Sequence, residues 1–211
     1  MLDTVSSDVH RDNTKRFREH GYDAALYQEY FPLANKTLWT RLVNIDDDLD
    51  IIHHWMNQPH VTEFWHMAWP KADIRDYLRR CDAREGFQTY LMFMDQEPLG
   101  YFEIYQPSLD VVGTTYEVET GDIGLHVLIG EEKYQRRYIM RLGTMMMRIV
   151  FSQYPQAIRA IGEPDVNNKT VQSVMKFLGF QFMKNIQLPD KTAALHYCLK
   201  SDFIRSHCSI A

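Results

Sequence analysis

The sequence predicts an α/β fold built on a mixed sheet with antiparallel and parallel parts. Three observations carry that reading. Apolar runs at 88–94 and 99–106 flank a tight turn at 95–98, the mark of a hairpin. Beyond them, helical patterns alternate with single short apolar runs, which is the order of a sheet with crossovers. No period of 20–50 residues repeats, so the chain is not an array.

Residues 1–35 are polar and charged. Within them 10–30 read as a helical appendage around Phe17, Leu26 and Tyr27, ended by Pro32. Residues 36–205 then form the main domain. The stretch 37–43 reads as a strand, and Asp46, Asp47 and Asp48 are cap candidates for a helix carrying Leu49, Ile52 and Met56. Pro70 precedes a second helix over 71–81. After the hairpin comes a polar connection with Asp110, Gly113 and Thr114, then an apolar strand at 123–129.

Ile139, Leu142, Met146, Ile149 and Val150 mark one face of a long helix, and Met145, Met146 and Met147 read as core packing. A short strand at 157–161 follows. Asn167 or Asn168 caps a helix in which Val171, Val174, Met175 and Leu178 fall at i, i+3, i+4 and i+7, and Gly179 sits at the C′ position. Strands at 180–188 and 193–199 finish the order.

Composition narrows the function. The 211 residues are enough to bury a core without disulfide or metal support. A formal charge of −5 gives no general attraction to nucleic acid or anionic membrane. Cys81, Cys198 and Cys208 form no CxxC pair and read as reduced thiols. The first residues lack a charged and apolar leader pattern, and no apolar run approaches the roughly 20 residues of a membrane span. The expected compartment is the cytoplasm, with a monomer or a dimer equally open. The nine histidines show no metal-ligand spacing, and neither a GxSxG elbow nor a phosphate-binding Walker loop is present, so no metal is expected.

Five segments, in register over roughly residues 37–200, carry a specific resemblance. They are His54-Trp55-Met56-Asn57-Gln58-Pro59-His60-Val61 with Phe64-Trp65; Gly100-Tyr101-Phe102-Glu103-Ile104-Tyr105; and Gly121-Asp122-Ile123-Gly124-Leu125-His126-Val127-Leu128-Ile129-Gly130. Glu163-Pro164-Asp165-Val166-Asn167-Asn168 and Leu188-Pro189-Asp190-Lys191-Thr192-Ala193-Ala194-Leu195 complete the set. The chain resembles the siderophore N-acyltransferases of the GNAT fold, a mixed, mostly antiparallel sheet flanked by helices. Those enzymes acylate an N-hydroxylated amine from acyl-CoA to make a hydroxamate.

The resemblance implies an acyl-CoA co-substrate, succinyl-CoA or acetyl-CoA. It implies that His126 and Asp165 are catalytic, and that Val127, Leu128, Ile129, Asn167 and Asn168 contact the cofactor. The pyrophosphate turn departs from the family's glycine-rich pattern: Tyr134-Gln135-Arg136-Arg137-Tyr138 has no glycine until Gly143. Gln135, Arg136, Arg137 and Tyr138 are then the candidates for phosphate, since cations at a helix start are unfavourable unless an anion sits there. His126, on a strand, is an imidazole that can titrate near working pH and serve as base. Asp165 reads equally as a turn or cap residue.

His54, Trp55, Asn57, Trp65, Glu103 and Asp122 are candidates for the amine pocket, although Trp55 and Trp65 also read as helix-face core. The compact chain points to N-hydroxyputrescine or N-hydroxycadaverine over N6-hydroxylysine. A flavin N-hydroxylase and a siderophore synthetase are the expected pathway neighbours. Two other readings stay open: an aminoglycoside-type or ribosomal-protein N-acetyltransferase, and a non-catalytic acyl-CoA-binding module.

Overall fold

A computed structural model describes residues 25–207, except for the side chains of Leu33, Gln135 and Arg136. Its strands are β1 (Tyr27–Phe31), β2 (Lys36–Leu42), β3 (Phe87–Met94), β4 (Glu97–Tyr105), β5 (Asp122–Ile129), β6 (Arg159–Gly162), β7 (Gln181–Gln187) and β8 (Thr192–Leu199). Its helices are α1 (Ile45–Met56), α2 (Pro59–Trp65), α3 (Lys71–Asp82), α4 (Glu132–Gln153), α5 (Lys169–Phe177) and α6 (Lys200–His207). One sheet takes the order β1-β2-β3-β4-β5-β6-β8-β7, and every neighbouring pair is antiparallel except β5 with β6. The mixed, mostly antiparallel sheet expected from the sequence is therefore present.

The helical reading of the residues before Pro32 is corrected where the structure describes them. Tyr27–Phe31 is an edge strand paired with β2 from Tyr27↔Thr40 to Phe31↔Lys36. Its aromatic residues suit an extended backbone. Pro32 opens a one-turn 3₁₀ connection that Asn35 closes in the left-handed region at φ 50°. Proline here begins a turn between strands and does not stop a helix. Residues 1–24 of the expected appendage lie outside the described residues.

Helix α1 is capped by Asn44, whose side chain accepts from the Asp46 N–H at 3.2 Å, so the three aspartates form its first turn. The short α2 has Pro59 in its first turn and ends on His66 at φ 52°. It fell below the length at which a helical period can be read. At the other cap, Asn168 Oδ1 accepts from Val171 N–H at 3.1 Å, and Gly179 takes φ 92° after α5.

Two apolar layers sandwich the sheet. Leu142, Met145, Met146, Ile149 and Val150 of α4 pack with Phe102, Ile104, Ile123 and Leu125 on one face. Ile52, Trp55 and Met56 of α1 and Ile74 and Leu78 of α3 pack with Leu91, Tyr101 and Leu128 on the other. Full burial of such side chains is worth about 1.5–3 kcal/mol each, so packing rather than helix propensity holds α4 through Gly143.

Candidate active site

Paired residues of neighbouring strands project to the same sheet face. Glu103 of β4 pairs with His126 of β5. In the parallel ladder Gly124 pairs with Ile161, so His126 and Glu163, each two residues further on, face the same side. Glu103, His126 and Glu163 thus form a row across β4, β5 and the residue that follows β6, on the face opposite α4.

The row is closely bonded. His126 Nδ1 lies 2.7 Å from Glu103 Oε2, and Nε2 lies 2.5 Å from Glu163 Oε1. Tyr77 and Tyr101 donate their hydroxyls to Glu103 Oε1 at 2.5 and 2.7 Å. Tyr105 donates to Glu163 Oε2 at 2.9 Å. The carboxylates are 0 and 1 % exposed while the imidazole is 30 % exposed, so His126 is the member that meets solvent.

Burial opposes charging of His126. The charge of Glu163 and the hydrogen bonds to Glu103 and Glu163 outweigh it and push the imidazole up to about 10. Burial would raise Glu163, but the adjacent imidazolium and its hydrogen bond hold it below the ordinary glutamate value. Burial first, then the neighbouring carboxylates, drive Tyr77, Tyr101 and Tyr105 well up, so all three remain donors. The sequence suggests a lone imidazole titrating near neutral pH. The structure instead gives a carboxylate–imidazolium–carboxylate row with both ring nitrogens occupied.

Beside this row the sheet opens. The β5–β6 ladder runs only from Asp122 to Gly124 on β5, which continues to Ile129 against β4. Gly130 N–H donates to Leu99 O at 2.9 Å, next to the Gly100↔Ile129 pair. By antiparallel alternation the backbone groups of Val127 and Ile129 point away from β4; the Ile129 carbonyl meets His60 Nε2 at 3.1 Å, and the others face the opening. Val127 and Ile129 have half-buried side chains, and Leu128 is in the core.

Other expected site residues are placed as follows. Trp65 stands edge-on to His126 at 6.3 Å and to Tyr101 at 5.9 Å, forming a wall beside the row. Trp55 is core: it is fully buried, and its ring fills the place of a Gly130 side chain, 2.2 Å from an ideal Cβ. His54 is exposed and contacts Gln58, and Asn57 is the exposed C-cap of α1, donating to His53 O at 2.9 Å. Asp122 is not available to a substrate, because both of its oxygens bind buried Arg159 at 2.7 and 2.8 Å.

Asp165 shares the face of Glu163, but its Oδ1 accepts from Asn167 N–H at 2.7 Å, which is the turn role. Asn167 is exposed, and Asn168 is the α5 cap. Arg137 stacks on Tyr138 at 5.2 Å, and Tyr138 meets Phe31. The side chains of Gln135 and Arg136 lie outside the described ones. Helix α4 begins at Glu132, after a connector of only Gly130 and Glu131, so the candidate phosphate residues lie within the helix and not before it.

The sequence reading missed Glu163, Tyr77, Tyr101 and Tyr105. Strand alternation alone puts Tyr101, Glu103 and Tyr105 on one face, and Glu163 belongs to the quoted Glu-Pro-Asp segment, so three of the four had a signal. Among the described residues no three His, Cys, Asp or Glu side chains are arranged to hold a metal ion. Those of the row are spent on one another.

Residues 44–188 match the model of the acetyltransferase (GNAT) domain. The chain belongs to the GNAT acetyltransferase family. It is 27 % identical over 163 residues to the N-hydroxyputrescine acetyltransferase of Acinetobacter baumannii, covering 77 % of this chain and 78 % of that protein. It is also 27 % identical over 187 residues to the N(5)-hydroxyornithine:cis-anhydromevalonyl coenzyme A-N(5)-transacylase of Beauveria bassiana. That match covers 86 % of this chain but 41 % of the fungal protein, so the chain spans less than half of it. An uncharacterized protein of Bacillus halodurans superposes with a TM-score of 0.80 at 29 % identity, over 87 % of this chain and 94 % of that one. The resemblance to siderophore N-acyltransferases is borne out, and with it the class of acyl-CoA N-acyltransferase. Among the described residues no helix is long and apolar enough to cross a membrane.

Proposed function

We propose that this GNAT enzyme acylates an N-hydroxylated diamine, N-hydroxyputrescine or N-hydroxycadaverine, from succinyl-CoA or acetyl-CoA to form the hydroxamate of a siderophore. The observation that carries the reading is the Glu103–His126–Glu163 row beside the open edge of β5. The thioester lies along that edge, where the Val127 backbone groups and the Ile129 N–H offer hydrogen bonds, and its carbonyl carbon stands near His126. Arg136 and Arg137 serve the pyrophosphate. The amine enters past Trp65.

The hydroxylamine nitrogen is neutral at pH 7 and attacks without prior deprotonation. As the N–C bond forms and the C–S bond breaks, nitrogen loses a proton and the thiolate gains one. With the imidazole protonated and both its nitrogens bonded, Glu163 Oε1 takes the first proton. The His126 N–H released from that 2.5 Å bond gives the second to the thiolate, and the proton on Glu163 then returns to the imidazole. The cationic imidazole offsets charge on the tetrahedral oxygen. Asp165, further along the same face, receives the substrate hydroxyl. The setting we propose is cytoplasmic, between a flavin N-hydroxylase that supplies the amine and a synthetase that consumes the product.

The test compares N-hydroxycadaverine with cadaverine, using succinyl-CoA and acetyl-CoA, by thiol release and product mass. A site built around the hydroxyl should favour the hydroxylated amine by up to about 10⁴ in kcat/KM. Equal efficiency would remove the siderophore reading and leave a general polyamine acetyltransferase. CoA binding with no turnover of any amine would leave a binding module.

A further inference from the structure

The segment before β8 brings a cation to the rim of the site. The β6–β8 ladder does not end at Gly162: Ala194 N–H donates to Pro164 O at 2.8 Å, Asp165 bridges Ala193, and Val166 N–H donates to Thr192 O at 3.0 Å. Leu195 and Ala193 therefore lie opposite Glu163 and Asp165, on the same face. Lys191 is two residues before Ala193, so it projects to that face as well. The residue between, Ala193, is fully buried in the apolar cluster of Val112, Ile186, Leu188 and Leu195, so the cation stands at the edge of that cluster.

The Lys191 ammonium acts electrostatically on Glu163, holding its carboxyl down alongside His126. Lys191 is half-buried, and none of the described carboxylates forms an ion pair with it. A tethered cation held near a site with three carboxylates and one imidazolium is where an anionic group of a substrate can settle. Elsewhere on this face a carboxylate would meet Glu103, Glu163 and Asp165.

We propose that Lys191 is a specificity-determining residue that binds a substrate carboxylate. Two sources share that chemistry: the terminal carboxylate of a dicarboxylic acyl group, and the α-carboxylate of an N-hydroxylated amino acid. The inference rests on the N-acyltransferase reading given above. A lysine is suited to either, as a point charge with three donors on a flexible stem.

The experiment measures kcat/KM for the wild type, Lys191→Met and Lys191→Arg with three substrate pairs. These are acetyl-CoA with N-hydroxycadaverine, succinyl-CoA with N-hydroxycadaverine, and acetyl-CoA with N6-hydroxylysine. Lys191→Met should lose about 10- to 100-fold on one carboxylate-bearing pair and under about threefold on the carboxylate-free pair, as for loss of a charge-assisted hydrogen bond. Lys191→Arg should recover most of the loss. The affected pair names the source. Equal loss on all three pairs, or a rise in KM for both acyl-CoAs alike, would assign Lys191 to the fold or to the CoA phosphates and overturn the proposal, as would no loss on any pair. Should the wild type turn over no amine, the N-acyltransferase reading fails, and calorimetry of succinyl-CoA, acetyl-CoA and N6-hydroxylysine against the wild type and Lys191→Met still decides Lys191. Selective weakening of a carboxylate-bearing ligand supports it, and equal affinities refute it.

Discussion

The ring of Tyr105 occupies the space that a side chain at Gly124 would need: an ideal Cβ there would stand 2.1 Å from Tyr105 Cζ. Lying across the glycine lets the Tyr105 hydroxyl reach Glu163, and it also sets the ring 4.7 Å from the His126 imidazole. Gly124→Ala should push the ring away from both. Overpacking of this kind costs about 1–3 kcal/mol, read as a lower urea midpoint. The loss of kcat should exceed that of Tyr105→Phe, which removes one donor and keeps the ring. A Gly124→Ala enzyme with wild-type kcat would separate Tyr105 from the mechanism.

His126→Ala should lower kcat by about 10²–10⁴, the range for acid–base groups, with acyl-CoA affinity retained. Isothermal titration with CoA beside steady-state kinetics checks both halves. Undiminished turnover from pH 6 to 9 would take His126 out of the reaction.

The same imidazole makes stability depend on alkaline pH. Its folded value, about 10, lies above its ordinary 6.5. Below 6.5 both folded and unfolded chains carry the proton, and the full benefit of the row is present. Between 6.5 and 10 only the folded chain keeps it, so stability falls as pH rises and the contribution is gone above about 10. Glu163, held low, behaves oppositely, and its contribution is lost as pH falls below the glutamate range. Urea midpoints against pH should decline on the alkaline side for the wild type and decline less for His126→Gln. Parallel curves would show that the imidazole is neutral when folded.

Much of this site was legible before the structure, and the remainder has physical causes. His126 and Glu103 stand as lone polar residues in apolar runs that read as strands, and Asn168 and Gly179 bracket α5 in the expected positions. Glu163 was overlooked beside Asp165 because a sequence shows neighbours along the chain, whereas the bond to His126 depends on which strand lies next to β5. Asp122 looked like a pocket acid. Its partner Arg159 is 37 residues away, and only the parallel β5–β6 pairing joins them. The strand at Tyr27–Phe31 was hidden by the polar residues ahead of it, since proline ends helices and opens turns alike.

Asp122 and Arg159 should matter to the fold and not to the chemistry. Both are buried, with Tyr116 and the Glu119 N–H completing the Asp122 shell at 2.9 and 3.0 Å. Arg159→Met leaves that carboxylate without its partner, a loss of about 3–5 kcal/mol for a buried pair. Thermal unfolding should show a double variant, Asp122→Asn with Arg159→Met, more stable than Arg159→Met alone. Additive effects would mean that the two charges do not depend on each other.

Cys81 and Cys198 are free and buried, and burial is the main cause that pushes each thiol up to about 12. Thiolate is the reactive form, so neither should react with an aromatic disulfide reagent at pH 8 in the folded Cys208→Ser protein. Two equivalents should appear on adding denaturant. Rapid modification of the native protein would point to opening around α3 or β8.

Arg136→Ala and Arg137→Ala should raise KM for acyl-CoA and leave kcat nearly unchanged, as removal of contacts shared by ground and transition states does. If neither variant shifts KM, α4 begins with solvated arginines and the phosphates are held elsewhere.

A row that crosses three strands has one further consequence. Side chains alternate across a sheet, so a slip of β5 by a single residue would turn His126 toward α4 and leave Glu103 and Glu163 with no cation between them. Circular dichroism would hardly notice the mistake, whereas turnover would be abolished. Enzyme activity is therefore a reporter of strand registration. During refolding it should return later than ellipticity, at the rate at which β4, β5 and β6 find their common alignment.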